Sequence, residues 1–145
     1  MVTGGSGRIG RRLCERLLEN GYDVLSPEAW ELDLDDAAKV RKWMAKGVVG
    51  VVHLAAMTNV DECEREPSLA FYVNVAITTT LARACKELKL PMMLASTSFV
   101  FEGTENKRLA ERDRCNPIQI YGGTKYQAEL KAFLPATLTL NGPLA

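Results

Sequence analysis

A glycine-rich segment near the N-terminus constrains the fold of this chain more than any other feature. Residues 3–10 read Thr-Gly-Gly-Ser-Gly-Arg-Ile-Gly and lie between a short apolar run and an amphipathic segment. Glycines leave the amides at a helix N-terminus open to an anion, because no side chain blocks the approach. This context is typical of the first βα unit of a dinucleotide-binding domain, and an ordinary glycine-rich turn is the alternative. The candidate cofactor-binding residues here are Gly4, Gly7, Arg8, Ile9 and Gly10.

Apolar runs and amphipathic segments alternate along the rest of the chain, which predicts βα units and a parallel sheet. The predicted strands are residues 1–3, 23–25, 48–54, 92–96 and 137–140. The predicted helices are residues 8–19, 36–46, 67–89 and 118–133. Ile9, Leu13, Leu17 and Leu18 would form one face of the first helix, and Asp33 or Asp35 would cap the second. Right-handed crossovers favour the strand order 3-2-1-4-5, so we expect a doubly wound, parallel α/β sheet of the Rossmann type.

Composition limits the classes of partner. The 145 residues are 47% hydrophobic, enough for one domain with its own core, and the formal net charge is zero. We therefore expect no nucleic-acid or membrane partner. Four scattered cysteines and one histidine offer no metal-ligand spacing, so we expect no metal site. Without a signal segment, we expect reduced thiols and a cytoplasmic location.

A carboxylate follows the second predicted strand at the distance where dinucleotide-binding units often carry one, about 20 residues after the glycines. Glu28 at this position could bind the adenosine ribose, and its neighbour Ala29 slightly favours NADH over NADPH. A solvated surface glutamate is the alternative. Further candidates for the adenine edge are Asp33 and Leu34, and candidates for a 2′-phosphate are Arg8, Arg11 and Arg12.

Tyr121 and Lys125 lie four residues apart in the last predicted helix and therefore project from one face. A tyrosine hydroxyl ordinarily has a pKa near 10, so acid–base chemistry at neutral pH requires a nearby cation such as this lysine. The spacing alone is common by chance. A run of hydroxyl side chains at residues 96–98 ends the fourth predicted strand, where ligands of open α/β sheets bind. Ordinary strand-end capping is the alternative for these residues, and we prefer it for Ser98.

Taken together, these motifs resemble those of the extended short-chain dehydrogenase/reductases, and most closely the dTDP-4-dehydrorhamnose reductases. The N-terminal blocks are Thr3-Gly4-x-x-Gly7-x-x-Gly10, Glu31-Leu32-Asp33-Leu34 and His53-Leu54-Ala55-Ala56 with Thr58-x-Val60-Asp61. The later blocks are Glu66-Pro67-x-Leu69-Ala70-Phe71-x-Val73-Asn74, residues 96–103, and Asn116-Pro117-x-x-x-Tyr121-Gly122-x-x-Lys125.

The resemblance implies an NADH- or NADPH-dependent reduction of a 4-keto sugar nucleotide. Thr97 would bind the substrate carbonyl, Tyr121 would donate the proton, and Lys125 would assist Tyr121 and hold the nicotinamide ribose. Ala55 and Ala56 would leave room for the cofactor, and Asn74 would support the water network of the active site. The sequence leaves open which sugar is bound and whether the chain is a monomer or a homodimer.

Two departures from the family pattern are informative. Ser98-Phe99 replaces the Asp-Tyr that usually follows this threonine in the family. The resemblance also implies no dehydratase chemistry, because sugar-nucleotide dehydratases carry Asp-Glu there as their elimination acid and base. Family members also continue well beyond the Tyr-Lys helix into a lobe that grips the sugar nucleotide, and this chain lacks that lobe. We therefore expect either a fragment of a larger enzyme or a shortened relative. The alternative function is a non-catalytic, nucleotide-binding regulatory subunit, as in methionine adenosyltransferase.

Overall fold

A computed structural model of the chain describes residues 1–103, 108–133 and 137–139. Within these residues, four strands form one sheet with parallel pairings. The strands are β1 (Val2–Thr3), β2 (Val51–His53), β3 (Met92–Leu94) and β4 (Thr137–Thr139). The helices are α1 (Arg8–Glu19), α2 (Ala37–Met44), α3 (Val60–Arg65), α4 (Pro67–Phe71), α5 (Ile77–Glu87) and α6 (Ile120–Phe133). The expected Rossmann-type α/β fold is confirmed, while the predicted strand end at Leu140 lies outside the described residues.

The predicted strand order 3-2-1-4-5 is wrong. The third predicted strand, β2, pairs directly with β1. Residues 23–25 form no strand, although the Val2 amide donates a hydrogen bond to the Leu25 carbonyl at 2.8 Å. The carbonyls of Met1 and Thr3 accept hydrogen bonds from the β2 side, so Val2 faces the other edge of β1. Residues 23–25 therefore lie beside β1 at the edge opposite β2, and the four observed strands have the order β1-β2-β3-β4.

Packing of α2 accounts for this order. Val40 and Met44 of α2 are buried in one cluster with Val51 of β2, Leu81 of α5 and Met92 of β3. The helix α2 therefore covers the same part of the sheet as α5, the helix that connects β2 to β3. The chain that leaves α2 enters the sheet in this part, so β2 pairs with the edge of β1 that faces β3. The prediction assumed that the third strand extends the sheet beyond the second. The apolar pattern of α2 does not distinguish these two edges.

The sheet reverses its winding between β1 and β2. From β1 the chain crosses through α1 toward residues 23–25, and from β2 it crosses through α5 toward β3, in the opposite direction. Right-handed crossovers in opposite directions place α1 and α5 on opposite faces of the sheet. Open α/β sheets bind ligands at the carboxyl ends of their strands where the winding reverses. The fold therefore directs attention to the loops that follow β1 and β2.

The first and last residues of α1 match the prediction, but two side chains of its predicted apolar face are exposed. Gly7 precedes the first helical residue, and Gly21 with a φ of +80° follows the end of the helix. Ile9 and Leu18, expected on an apolar face, are 69% and 59% exposed. The residue that caps α2 is Asp36, rather than Asp33 or Asp35, and its carboxylate accepts two amide hydrogen bonds.

In the described part of the chain, no helix is long and apolar enough to cross a membrane.

The helix predicted over residues 67–89 is interrupted. Tyr72–Ala76 form a π-helical turn between α4 and α5, and the Ile77 amide donates to the Tyr72 carbonyl five residues back. The short helix α3 was not predicted, and the Asn59 side chain caps it. Single π-helical turns inside helices are frequent at functional sites. This one contains the candidate site residue Asn74.

Two adjacent glycines of α6 have different surroundings and provide a matched test of the packing. A Cβ atom at Gly122 would lie 2.1 Å from the Phe99 carbonyl oxygen, whereas a Cβ at Gly123 would meet nothing within 4 Å. We expect Gly122→Ala to lower the free energy of unfolding by about 1–3 kcal/mol, through overpacking. Gly123→Ala should raise it by up to about 1 kcal/mol, through helix propensity. Urea denaturation measures both, and equal effects would contradict the close contact between α6 and residue 99.

Candidate active site

A cleft of about 780 Å³ lies at the carboxyl ends of β1, β2 and β3. The loop after β1 forms one wall, and the start of α6 contributes to another. The lining residues are Gly4, Ser6, Gly7, Arg8, Ile9, Gly10, Leu54, Ala55, Ala56, Thr58, Val73, Ala95, Ser96, Tyr121 and Lys125. The cleft therefore occupies the place where the reversal of the sheet predicts a ligand.

Many of the site residues predicted from the sequence come together on this cleft. Those that line it are Gly4, Gly7, Arg8, Ile9, Gly10, Ala55, Ala56, Tyr121 and Lys125. Those that do not line it are Glu28, Asp33, Leu34, Asn74 and Thr97. The structure thus brings most of the predicted residues to one cleft, and the roles of the other five stay predictions.

The loop after β1 requires glycine for steric reasons. Gly4 has a φ of +71°, and a Cβ there would lie 2.7 Å from the Ala55 amide nitrogen. A Cβ at Gly10 would lie 2.1 Å from the Gly4 carbonyl oxygen. At Gly7 a Cβ would meet only that same oxygen, at 3.1 Å, so the space at the start of α1 is open. The result is a compact loop with an accessible helix N-terminus, the arrangement that favours an anionic group.

Glu28 lies beside this loop although it does not line the cleft. The Ser6 hydroxyl donates to its carboxylate at 3.1 Å, and its own amide donates to the Glu31 carboxylate at 2.9 Å. Asp33 accepts a hydrogen bond from the Asp35 amide at 3.1 Å. Leu34 packs against the core cluster around Val40, and the roles expected for Asp33 and Leu34 at the adenine edge stay predictions.

Tyr121 is held on several sides. The amide of its neighbour Ile120 donates to the Glu64 carboxylate at 2.7 Å, which ties the N-terminus of α6 to α3. The buried ring of Tyr121 packs with Cys63, and the Phe99 ring meets it edge to face with centroids 5.8 Å apart. These contacts fix the direction of the tyrosine side chain before any ligand binds.

Lys125 is 4% exposed, and its charge is balanced from within the same helix. Burial lowers the pKa of Lys125 to about 8, and the Glu129 carboxylate opposes that shift. Burial raises the pKa of Glu129, against the hydrogen bond from the Ser96 hydroxyl and the charge of Lys125. Below pH 8 the lysine therefore remains mainly protonated, which is the form able to stabilise a phenolate or donate to a ribose hydroxyl.

Thr97 and Asn74 are not among the residues that line the cleft. The Thr97 hydroxyl accepts a hydrogen bond from the Phe99 amide at 3.3 Å, and the cleft is lined by Ser96 instead. The Asn74 side chain accepts from the Met57 amide at 2.8 Å and donates to the Thr124 hydroxyl at 3.0 Å. Asn74 thus connects the loop after β2 to α6. The roles expected for both residues toward a ligand stay predictions.

Residues 1–135 match the family model described as the RmlD substrate binding domain. The chain belongs to this family. The dTDP-4-dehydrorhamnose reductase of Streptomyces griseus is 38% identical over 130 residues, which are 89% of this chain and 43% of that protein. The corresponding enzyme of Mycolicibacterium smegmatis is 35% identical over 130 residues, which are 89% of this chain and 39% of that protein.

Solved structures give the same assignment. The dTDP-4-dehydrorhamnose reductase of Bacillus anthracis, determined in complex with NADP, superposes with a TM-score of 0.89 at 28% identity. The match covers 95% of this chain and 50% of that one. The chain spans less than half the length of the two curated relatives named above. The comparisons do not favour the non-catalytic regulatory alternative.

The sequence interpretation missed Glu129, and it named Ser96 only as one of three hydroxyl residues at the end of a strand. Glu129 follows Lys125 by four residues, as Lys125 follows Tyr121, so the three share one helix face. That repeated spacing was the signal available for Glu129. Ser96 was grouped with two other hydroxyl residues. Only the three-dimensional course of the chain after β3 shows that Ser96 lines the cleft and that Thr97 does not.

Proposed function

We propose that this chain is the NAD(P)H-binding half of a reductase that acts on the 4-keto group of a dTDP-linked 6-deoxysugar. The observation that carries the proposal is the joint placement of Tyr121 and Lys125 on the same cleft as the glycine loop. A proton donor, a cation and an anion-binding helix N-terminus are the groups that such a reduction requires. The named relatives act on dTDP-4-dehydrorhamnose, which supports this class of substrate.

The residues of the cleft fit a dinucleotide. The absence of Cβ atoms at Gly4 and Gly7 leaves the start of α1 open for a pyrophosphate, and Glu28 lies within reach of the loop through Ser6. Ala55 and Ala56 are small enough to leave the floor of the cleft free. When bound, the nicotinamide supplies the hydride that reduces the carbonyl carbon. Lys125 would hold the nicotinamide ribose.

Proton transfer would come from the chain's own residues. As the carbonyl oxygen of the sugar gains negative charge, the Tyr121 hydroxyl gives it a proton, and the phenolate left behind is stabilised by the Lys125 ammonium group. The charge of the Glu129 carboxylate favours the protonated form of Lys125 and opposes in part the effect of burial on its pKa. The Thr97 hydroxyl would hydrogen-bond the carbonyl oxygen, which is the role that the resemblance gives it. The Ser96 hydroxyl lines the cleft, but its single proton is already donated to the Glu129 carboxylate.

The proposal is tested by titrating the chain with NADH and NADPH, and then by following NADH absorbance after addition of a dTDP-4-keto-6-deoxysugar. We expect saturable binding of reduced nucleotide and loss of one NADH for each sugar reduced. Because the relatives are more than twice as long, we expect faster turnover in the product of the complete reading frame that contains this sequence. Absence of nucleotide binding in both proteins would refute the proposal.

Cofactor preference provides a separate test. Glu28 would accept hydrogen bonds from the ribose of NADH and would repel the 2′-phosphate of NADPH. We expect tighter binding of NADH by the wild-type chain and a smaller preference in Glu28→Ala, measured by calorimetry with both nucleotides. The exposed Glu19→Ala, on the far end of α1, is the control and should change neither affinity. A wild-type chain that binds NADPH at least about tenfold tighter would contradict the assignment and indicate Arg8, Arg11 or Arg12 as phosphate ligands.

A further inference from the structure

The only histidine of the chain, His53, ends β2 and is 1% exposed. Both of its ring nitrogens have hydroxyl partners: Nδ1 lies 2.6 Å from the Thr3 hydroxyl, and Nε2 lies 3.0 Å from the Thr78 hydroxyl. His53 does not line the cleft, and the mechanism above does not use it. The position of this ring between β1 and α5 therefore needs a separate explanation.

The surrounding hydrogen bonds determine the protonation of the ring. The single hydroxyl proton of Thr78 is donated to the Asn74 carbonyl at 2.7 Å, so the Thr78 oxygen can only accept from His53. Nε2 must therefore carry a proton. Burial, and then the charge of Lys125, lower the pKa of His53 to about 3, so the ring is neutral and Nδ1 accepts from Thr3.

One chain of hydrogen bonds results, which runs from the Ala55 amide to the backbone carbonyl of Asn74. The Ala55 amide donates to Thr3 at 3.4 Å, Thr3 donates to His53, His53 donates to Thr78, and Thr78 donates to Asn74. At the first end, Thr3 directly precedes the glycine loop and Ala55 lines the cleft.

The side chain of Asn74 makes a separate hydrogen bond, in which its amide nitrogen donates to the Thr124 hydroxyl at 3.0 Å, and Thr124 donates to the Tyr121 carbonyl at 2.8 Å. Every group that carries a proton in this path has a named acceptor. The hydrogen bonds from Ala55 to the Asn74 carbonyl therefore have one direction and one ring tautomer. Asn74 then links them, through its own side chain, to the helix that carries Tyr121 and Lys125.

We propose that His53, neutral and protonated at Nε2, is a positioning residue that fixes the position of the glycine loop relative to α6. The proposal rests on the proposed nucleotide binding. His53 acts through Thr3 and Thr78 and does not touch the nucleotide. Loss of one of its partners should therefore change nucleotide affinity and ring tautomer together.

The helix α5 offers a matched pair of variants for this test. Thr78 and Thr79 each donate their hydroxyl to the carbonyl four residues back, at 2.7 Å in both cases. Only Thr78 also receives the His53 proton. Thr78→Val and Thr79→Val therefore remove the same bond within the helix, and only the first leaves the buried Nε2 proton without an acceptor.

The experiment combines nitrogen-15 NMR of histidine-labelled protein with calorimetric titration by NADH. A single histidine gives one pair of ring signals, which we expect to show the neutral Nε2-protonated form from about pH 5 to pH 9. The signals should shift when NADH binds. Thr78→Val is expected to weaken NADH binding by about fivefold or more, because a buried donor without an acceptor is costly, and to mix the two tautomers. Thr79→Val should leave affinity and tautomer unchanged, and Thr78→Ser should preserve both.

Different results would overturn different statements. A ring protonated at Nδ1, or charged near neutral pH, would contradict the donor chain. Equal NADH affinities in Thr78→Val and Thr79→Val would refute the positioning role while leaving the proposed function intact. If the wild-type chain bound neither NADH nor NADPH, the proposed function would fail and the positioning role with it. Should Thr78→Val unfold, Thr3→Val tests the same path from the Nδ1 side, with the same expected loss of affinity.

Discussion

Tyr121→Phe is expected to slow reduction of the keto sugar nucleotide by about 10²- to 10⁴-fold, the usual contribution of a positioned proton donor. Affinity for NADH should remain unchanged, because the ring keeps its packing against Cys63 and Phe99 and only the hydroxyl is lost. Single-turnover measurement separates the two effects, since it records the chemical step after the nucleotide is bound.

Tyr126→Phe is the matched control for this variant. Tyr126 lies in the same helix but does not line the cleft, so removal of its hydroxyl should leave the rate of reduction unchanged. Equal rates in wild type and Tyr121→Phe would show that the proton comes from another group.

Gly7→Val is expected to abolish detectable binding of NADH and NADPH. Gly7 has φ −69° and ψ 170°, a conformation open to any residue, and a Cβ there would need only a small shift of the Gly4 carbonyl oxygen, 3.1 Å away. The two methyl groups of valine would occupy the open space at the start of α1, where the pyrophosphate would meet the helix amides. Circular dichroism should report a folded protein, and calorimetry should report no heat of binding.

Gly7→Ala provides a graded comparison, because a single methyl group fills less of this space. Its affinity should lie between those of wild type and Gly7→Val. Gly10→Ala should behave differently and lower the free energy of unfolding, since its Cβ would lie 2.1 Å from the Gly4 carbonyl oxygen. Wild-type affinity in Gly7→Val would contradict the assignment of the loop to the nucleotide.

Local signals in the sequence predicted local structure well. The glycines set both ends of α1, because Gly7 precedes the helix and Gly21 adopts the positive φ that ends it. The prediction of the strand order was wrong because the order depends on which edge of β1 pairs with β2. The packing of α2 on α5 determines that edge. The π-helical turn over Tyr72–Ala76 has no periodic signature, since the residues around it continue an ordinary helical pattern.

The same distinction applies to the site. Tyr121 and Lys125 were predictable because a four-residue spacing on one helix fixes their common face. Ser96 and Thr97 are adjacent in sequence, and only the orientation of the chain after β3 decides which one reaches the cleft. The partners of His53 lie 50 and 25 residues away along the chain, so no local pattern could show them.

The most direct test of the central claim is a single-turnover reaction of NADH-bound protein with a dTDP-4-keto-6-deoxysugar, in the product of the complete reading frame. We predict that bound NADH is oxidised, that one sugar is reduced per NADH, and that Tyr121→Phe binds NADH but oxidises it at least about 100-fold more slowly. Bound NADH that persists unchanged in the wild-type protein at saturating keto sugar would contradict the assignment of this cleft as the active site of a reductase.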